Sequence, residues 1–185
     1  MRGAGYAAAA LLSLGLAACD GKENAATENQ AAATGTQETL AAAIGGAGDL
    51  STTAKLLKDA GLDHTLEGVG SYTLFAPIDT AFASLPEGQR KTLENTDARP
   101  QLIALLSQHI TTGYLSKPDL EKGLAQEGGS AKLTTMASGK PITLYSDNGT
   151  ITIGSGTAAP HVVGEPITAR NGVIYRIDRV IPDGG

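Results

Sequence analysis

One thiol and three imidazoles are all this chain offers for soft-nucleophile, acid–base or soft-metal chemistry: Cys19, His64, His109 and His161. Their spacing builds no ligand set. There is no His-x-x-x-His pair and no second cysteine, so no zinc site and no intramolecular disulfide is expected. His109 stands at i+4 from Leu105, among Leu102, Leu106 and Ile110 on the apolar face of a helix expected after Asp97. An imidazole there could serve as a base or a ligand. The commoner arrangement is a core histidine whose ring nitrogens bond backbone groups, and that is the reading adopted. His64 reads as a solvated residue of a short connection.

The remaining chemistry-bearing residues are equally sparse in pattern. No Gly-x-Ser-x-Gly elbow occurs, and no carboxylate pair sits at helical spacing on a pocket face, so no catalytic residue is assigned. Gly154-Ser155-Gly156 lacks the third glycine and the following helix of a nucleotide loop, and no cofactor is called for. Asn148-Gly149-Thr150 matches a glycosylation sequon but reads as a hairpin tip. A net charge of −5 gives no excess of Lys and Arg for phosphates, which argues against nucleic acid as a partner.

Cys19 has a more specific context. Arg2 gives a short positive segment, Ala4–Ala18 is an apolar run of 15 residues, and Leu16-Ala17-Ala18-Cys19 places small residues before the thiol. The run is too short for a membrane span, which needs about 20 residues. The pattern is similar to a bacterial lipobox, which implies a signal peptide over 1–18 and a diacylglycerol-bearing Cys19. Residues 19–36 then read as a lipid-anchored tether. Asp20–Thr36 contains no aromatic or large aliphatic side chain and cannot offset its ordering entropy by burial. A coil of that length would hold the rest roughly 20–25 Å from the lipid.

Residues 37–185 carry the pattern of a folded domain. Hydrophobic residues make up 41% of the chain and charged residues 18%. A body of this size should bury about two-thirds of its unfolded surface without metal or disulfide. Leu40, Ala43 and Ile44 form an apolar stripe ended by Gly45-Gly46. Asp49 is placed to cap a second helix, buried through Leu50, Ala54, Leu56 and Leu57 and stopped by Gly61. Asp97 is placed to cap a later helix with Pro100 in its first turn. Ser116–Leu120 starts another, with Leu120 and Leu124 inward. From Ala131 the hydrophobic period switches to two, as in strands. Helices plus one buried strand, followed by antiparallel strands, give an α+β domain: a β-sandwich or wedge with helices gathered on one side.

The buried strand is Tyr72–Ala76, apolar on both faces, and it runs through Pro77 into Asp79, placed to cap a helix with Ala81 and Phe82. The string Tyr72-Thr73-Leu74-Phe75-Ala76-Pro77-Ile78-Asp79-Thr80-Ala81-Phe82 resembles the first signature box of the fasciclin-like domain, with Ile78 where that family usually has Thr. Asn171-Gly172-Val173-Ile174-Tyr175-Arg176-Ile177-Asp178 resembles its second box, with Tyr175 in place of His. Asn-Gly suits the two positive φ values of a type I′ turn, so Ile167–Arg170 and Val173–Ile177 are expected as a hairpin. Between the boxes, Gln108-His109 is similar to the family's Tyr-His segment, with Gln108 in place of Tyr. The resemblance spans about Thr39–Pro182. It implies that the two boxes form neighbouring buried strands, and that Thr73, Asp79, His109, Asn171 and Asp178 keep the fold.

The resemblance also implies a non-enzymatic adhesion or binding module. With the lipobox, this places the domain on a bacterial cell envelope, held to the membrane through Cys19 and facing an extracytoplasmic protein or glycan. A scarcity of aromatic residues, 4% with no Trp, tilts the partner towards protein. A structural spacer without ligand is the alternative, and an envelope hydrolase is a third. Cys19→Ser should abolish metabolic lipid labelling and release the protein from membranes. Unchanged labelling and membrane retention would remove the anchor.

Overall fold

Short apolar stripes punctuated by glycine give the N-terminal part of the domain three helices. The computed structural model describes residues 37–147 and 149–182, so the signal segment, Cys19, the tether and Asn148 lie outside the described residues. The helices are α1 (Leu40–Gly46), α2 (Ser51–Ala60) and α3 (Asp63–Glu67). In α2, Thr53, Leu56, Leu57 and Ala60 are buried, a single i, i+3, i+4, i+7 face. Gly61 ends it at φ 75°. Its N–H bonds Lys58 O and the Leu62 N–H bonds Leu57 O, both at 2.9 Å, the paired closure that an αL glycine permits. His64 lies within α3 rather than in a connection, and it is exposed.

The chain continues through β1 (Tyr72–Pro77), α4 (Asp79–Ala83), α5 (Glu87–Glu94), α6 (Arg99–Gln108), β2 (Ile110–Thr112) and α7 (Lys117–Gln126). Then come β3 (Ser130–Leu133), β4 (Ile142–Asp147), β5 (Thr150–Ile153), β6 (Val162–Ala169) and β7 (Gly172–Ile177). The strands form two sheets, ordered β2-β1-β7-β6 and β3-β4-β5. The domain is α+β, as its sequence suggests. The expectation that the two boxes would lie side by side holds as well: β1 pairs with β7 from Tyr72↔Gly172 to Pro77↔Ile177. That central pair is parallel, whereas every other strand pair is antiparallel.

Alternation along β1 and β7 feeds two cores. Leu74, Ala76 and Ile174 pack with Leu40, Leu50, Leu57, Leu66 and Leu106 of the helical layer. Phe75, Val173, Tyr175 and Ile177 face the second sheet, with Ile142, Leu144, Ile151 and Ile153. Helix α7 belongs to this second core through Leu120 and Leu124. Phe75 and Tyr175, register partners on the parallel pair, stack with centroids 5.6 Å apart and planes inclined by 22°. The edge strand β6 shifts register between Val163 and Ile167. Gly164 takes φ 68° there, and Pro166 is tolerated because the ladder is already interrupted.

Three further expectations change. Helix α6 ends at Gln108, so His109 follows it and Ile110 begins β2, while Leu105 is only half-buried. Asp97 sits in a 3-10 turn, Thr96–Ala98, where its N–H bonds the Asn95 side chain, and α6 starts without a side-chain cap. The β6–β7 reversal has Arg170-Asn171 between the paired Ala169 and Gly172, so Gly172 is a strand residue and not a turn residue.

Glycine is required at 172 for closeness rather than for φ. A Cβ there would collide with the Tyr72 carbonyl of the parallel partner and with Leu40 of α1. Gly172→Ala should therefore push β1 from β7 and lower stability by about 3 kcal/mol, measured by urea unfolding. A loss below about 0.5 kcal/mol, the range of an ordinary surface substitution, would contradict this account.

Candidate functional site

The polar residues of the two boxes do not converge on one site. They divide between the two ends of the β1–β7 pair. Asn171 is at the start of β7. Its Oδ1 accepts from the Leu40 N–H at 2.8 Å, and its Nδ2 donates to Leu66 O at 2.8 Å and Gly68 O at 2.9 Å. One buried amide thus satisfies the first N–H of α1 and the last carbonyls around α3. Thr73, near the same end, donates from Oγ1 to Gly113 O at 2.8 Å and accepts from Leu115 N–H at 3.0 Å.

Asp79 and Asp178 leave the other end, just beyond the last residues of the two parallel strands. Asp79 does not cap its own helix; Ile78 precedes α4 without a side-chain bond. It caps α2 instead, accepting from Thr52 N–H at 2.8 Å and from Ser51 Oγ at 2.7 Å. Asp49, assigned that cap from sequence, accepts from Arg176 Nε at 2.8 Å and gives its carbonyl to the Asp79 N–H at 2.9 Å. Asp178 closes the start of β6, taking the His161 N–H at 2.7 Å, with the His161 ring Nδ1 3.3 Å from its second oxygen.

His109 is buried between helix, sheet and C-terminal segment. Its Nε2 accepts from the Ile181 N–H at 3.1 Å, which puts the ring proton on Nδ1, 2.9 Å from Leu105 O. Its carbonyl accepts from the Phe75 N–H at 2.8 Å. The ring therefore ties α6 to the last described residues, and the backbone carbonyl of the same residue ties them to β1. Gln108 beside it is buried too, and its Oε1 has no partner among the described residues. That orphan sits at the position where the resembled family carries Tyr.

Tyr175, where the family has His, reaches Leu115 O with its hydroxyl at 2.9 Å. Burial, reinforced by Glu121, pushes this phenol well above its ordinary range, so it stays a neutral donor. Among the described residues, no cluster of His, Cys, Asp or Glu is arranged to hold a metal ion. No helix of the described residues is long and apolar enough to cross a membrane.

Two surface features were not read from sequence. The first is apolar exposure near the start of β1: Val69 is fully exposed and Tyr114 is 42% exposed. The Gly113 N–H bonds Ser71 O at 2.8 Å, which brings the two loops together. Val69 between two glycines was the available signal. The second is a cleft of about 740 Å³ between the α4–α6 side and residues 179–182. Its walls include Leu85, Leu93, Leu105 and Val180, all only half-buried. Nothing local marks these leucines as lining a cavity rather than a core.

The family model for the fasciclin domain matches residues 48–182, nearly the whole described region. The chain belongs to the fasciclin domain family. Two relatives from Synechocystis share it over most of their length. Protein sll1483 is 29% identical over 159 residues, covering 86% of this chain and 81% of the relative. Protein sll1735 is 35% identical over 133 residues, covering 71% and 87%. Among solved structures, a FAS1 domain pair from the insect cell adhesion molecule fasciclin I superposes with a TM-score of 0.69 at 22% identity. The match covers 78% of this chain and 51% of that one, and it establishes the fold. Fasciclin domains are found in cell adhesion proteins.

In this fasciclin domain, partial burial pushes the Asp79 carboxyl up, but the Thr52 N–H and the Ser51 hydroxyl outweigh it and hold the carboxyl below its usual range. A depressed native pKa stabilises above the unfolded value, near 4, and the contribution disappears as pH falls through the native value. Asp79→Ala should cost about 1 kcal/mol at pH 7, the usual loss of a helix cap. The gap to wild type should close progressively below about pH 4. A gap independent of pH, in parallel urea titrations, would refute the ionised cap.

Proposed function

We propose that this chain is a non-catalytic adhesion module, held on the bacterial envelope through Cys19, that engages an extracytoplasmic protein through surface loops. The observation that carries this reading is where the box residues point. Asn171, Thr73, Asp79, Asp178 and His109 all bond backbone groups of their own domain. Their polar capacity goes into a rigid scaffold, and recognition falls to the loops it displays. Membership in a family found in cell adhesion proteins supports the same reading. Carbohydrate recognition by an aromatic platform has little support in a chain that is 4% aromatic and lacks Trp.

The contact face we assign is the Val69–Tyr114 end of β1. An exposed aliphatic and an exposed tyrosine on adjacent loops, 103% and 42% accessible, have no role in the core. Aromatic anchors are the residues most enriched in protein contacts. Beads carrying the protein should adhere saturably to cells of the source organism, and mild protease treatment of the cells should remove the adhesion. Val69→Asp with Tyr114→Ser should weaken it at least tenfold while leaving thermal unfolding unchanged. Saturable adhesion that survives the double substitution would exclude this face. Absence of saturable adhesion would leave the spacer reading in its place.

A further inference from the structure

We propose that the cleft between the α4–α6 side and residues 179–182 binds an amphipathic monocarboxylate: one long apolar chain with a single anionic head. This goes beyond adhesion and uses the opposite end of the β1–β7 pair. The volume, about 740 Å³, falls within the range of small-molecule sites. Leu85, Leu93, Leu102, Leu105 and Val180 give walls that favour an apolar body.

The cavity is held open by its frame. Residues 181–182 are pinned by the Ile181 N–H on His109, and Arg179 is pinned by a 2.8 Å bond to Thr157 O. The opposite wall turns at Pro86 into α5, whose first turn bonds back to the Pro86 carbonyl. The 179–182 wall is thus fixed to the body of the domain, and α5 faces it across the cleft.

Charge selects the head group. Among the described residues, Arg179 is the only charged one in the lining. Its guanidinium makes, among the described residues, one hydrogen bond, to Thr157 O, and no ion pair with a carboxylate. The remaining N–H groups form a fork suited to a carboxylate. The other polar lining residues, Ser84, Gln89, Thr92 and Gln101, are neutral. A sugar would find no aromatic face, since the described lining contains no aromatic residue.

The test uses the full chain carrying Cys19→Ser, which cannot bear a thioether-linked lipid, and the fluorescent probe cis-parinarate. The wild-type cleft should bind it saturably at one site per chain, and palmitate should displace it. Myristate, two carbons shorter, should compete roughly tenfold less well, and hexadecanol should compete roughly tenfold less well than palmitate. Arg179→Gln should abolish the preference for palmitate over hexadecanol. Ala158→Trp, which fills the cleft from an exposed loop position, should remove binding; Leu93→Arg carries the same test if that variant does not fold. No saturable binding, or binding undiminished in a folded cleft variant, would overturn the site. Equal competition by palmitate and hexadecanol would overturn the carboxylate assignment. A failure of bead adhesion bears on the adhesion reading alone and leaves these outcomes unaffected.

Discussion

The parallel pairing of β1 with β7 is the constraint on which the rest of the domain depends. It joins Tyr72–Pro77 to Gly172–Ile177, so the chain from Ile78 to Asn171 must be threaded between the two strands. Parallel neighbours need a crossover, and this one contains helices α4–α7 and the whole second sheet. Both strands are buried on both faces, which explains their almost continuous apolar sequence. Their closeness is set at one residue, Gly172, where any side chain would meet the opposite backbone. The loop-closure entropy of so remote a contact must be met before much native burial is gained.

The polar residues around this pair direct their hydrogen bonds to backbone groups of their own domain. At one end Asn171 joins the start of α1 to the end of α3; at the other, Asp79 caps α2 from a different segment of the chain. Each converts a helix terminus, with its unpaired backbone groups, into a fixed joint against the central strands. Buried polar groups that are fully satisfied make a packing arrangement unique as well as stable. Gln108 is an exception, as is Asp63, whose Oδ1 is also buried without a partner among the described residues. The unpaired Gln108 oxygen is a local cost at the position where the family's Tyr would bring a hydroxyl and a ring.

Much of this was legible in the residues. The apolar faces of Tyr72–Ala76 gave the doubly buried strand, Gly61 gave a helix stop, Ser116–Leu120 gave the start of α7, and the two boxes gave adjacency. What was misread has a common cause. Asp49 and Asp79 each stand near a helix start, and local pattern assigns each to the nearer one. The fold crosses them, because Asp79 approaches α2 only after β1 has been laid beneath it. Gly172 shows the same thing. Asn-Gly has a strong local meaning as a turn, but the approach of a distant strand overrode it. The cleft escaped notice because a leucine facing a cavity and one facing a core look alike in a sequence window.

The flanks of the four-stranded sheet have a further consequence. One flank, β2, is three residues long, and the other, β6, is broken by a kink with Gly164 and Pro166. Neither presents a long regular row of free backbone groups to which a second copy could add a strand. Copies crowded at one surface could therefore meet repeatedly without being zipped together through this sheet.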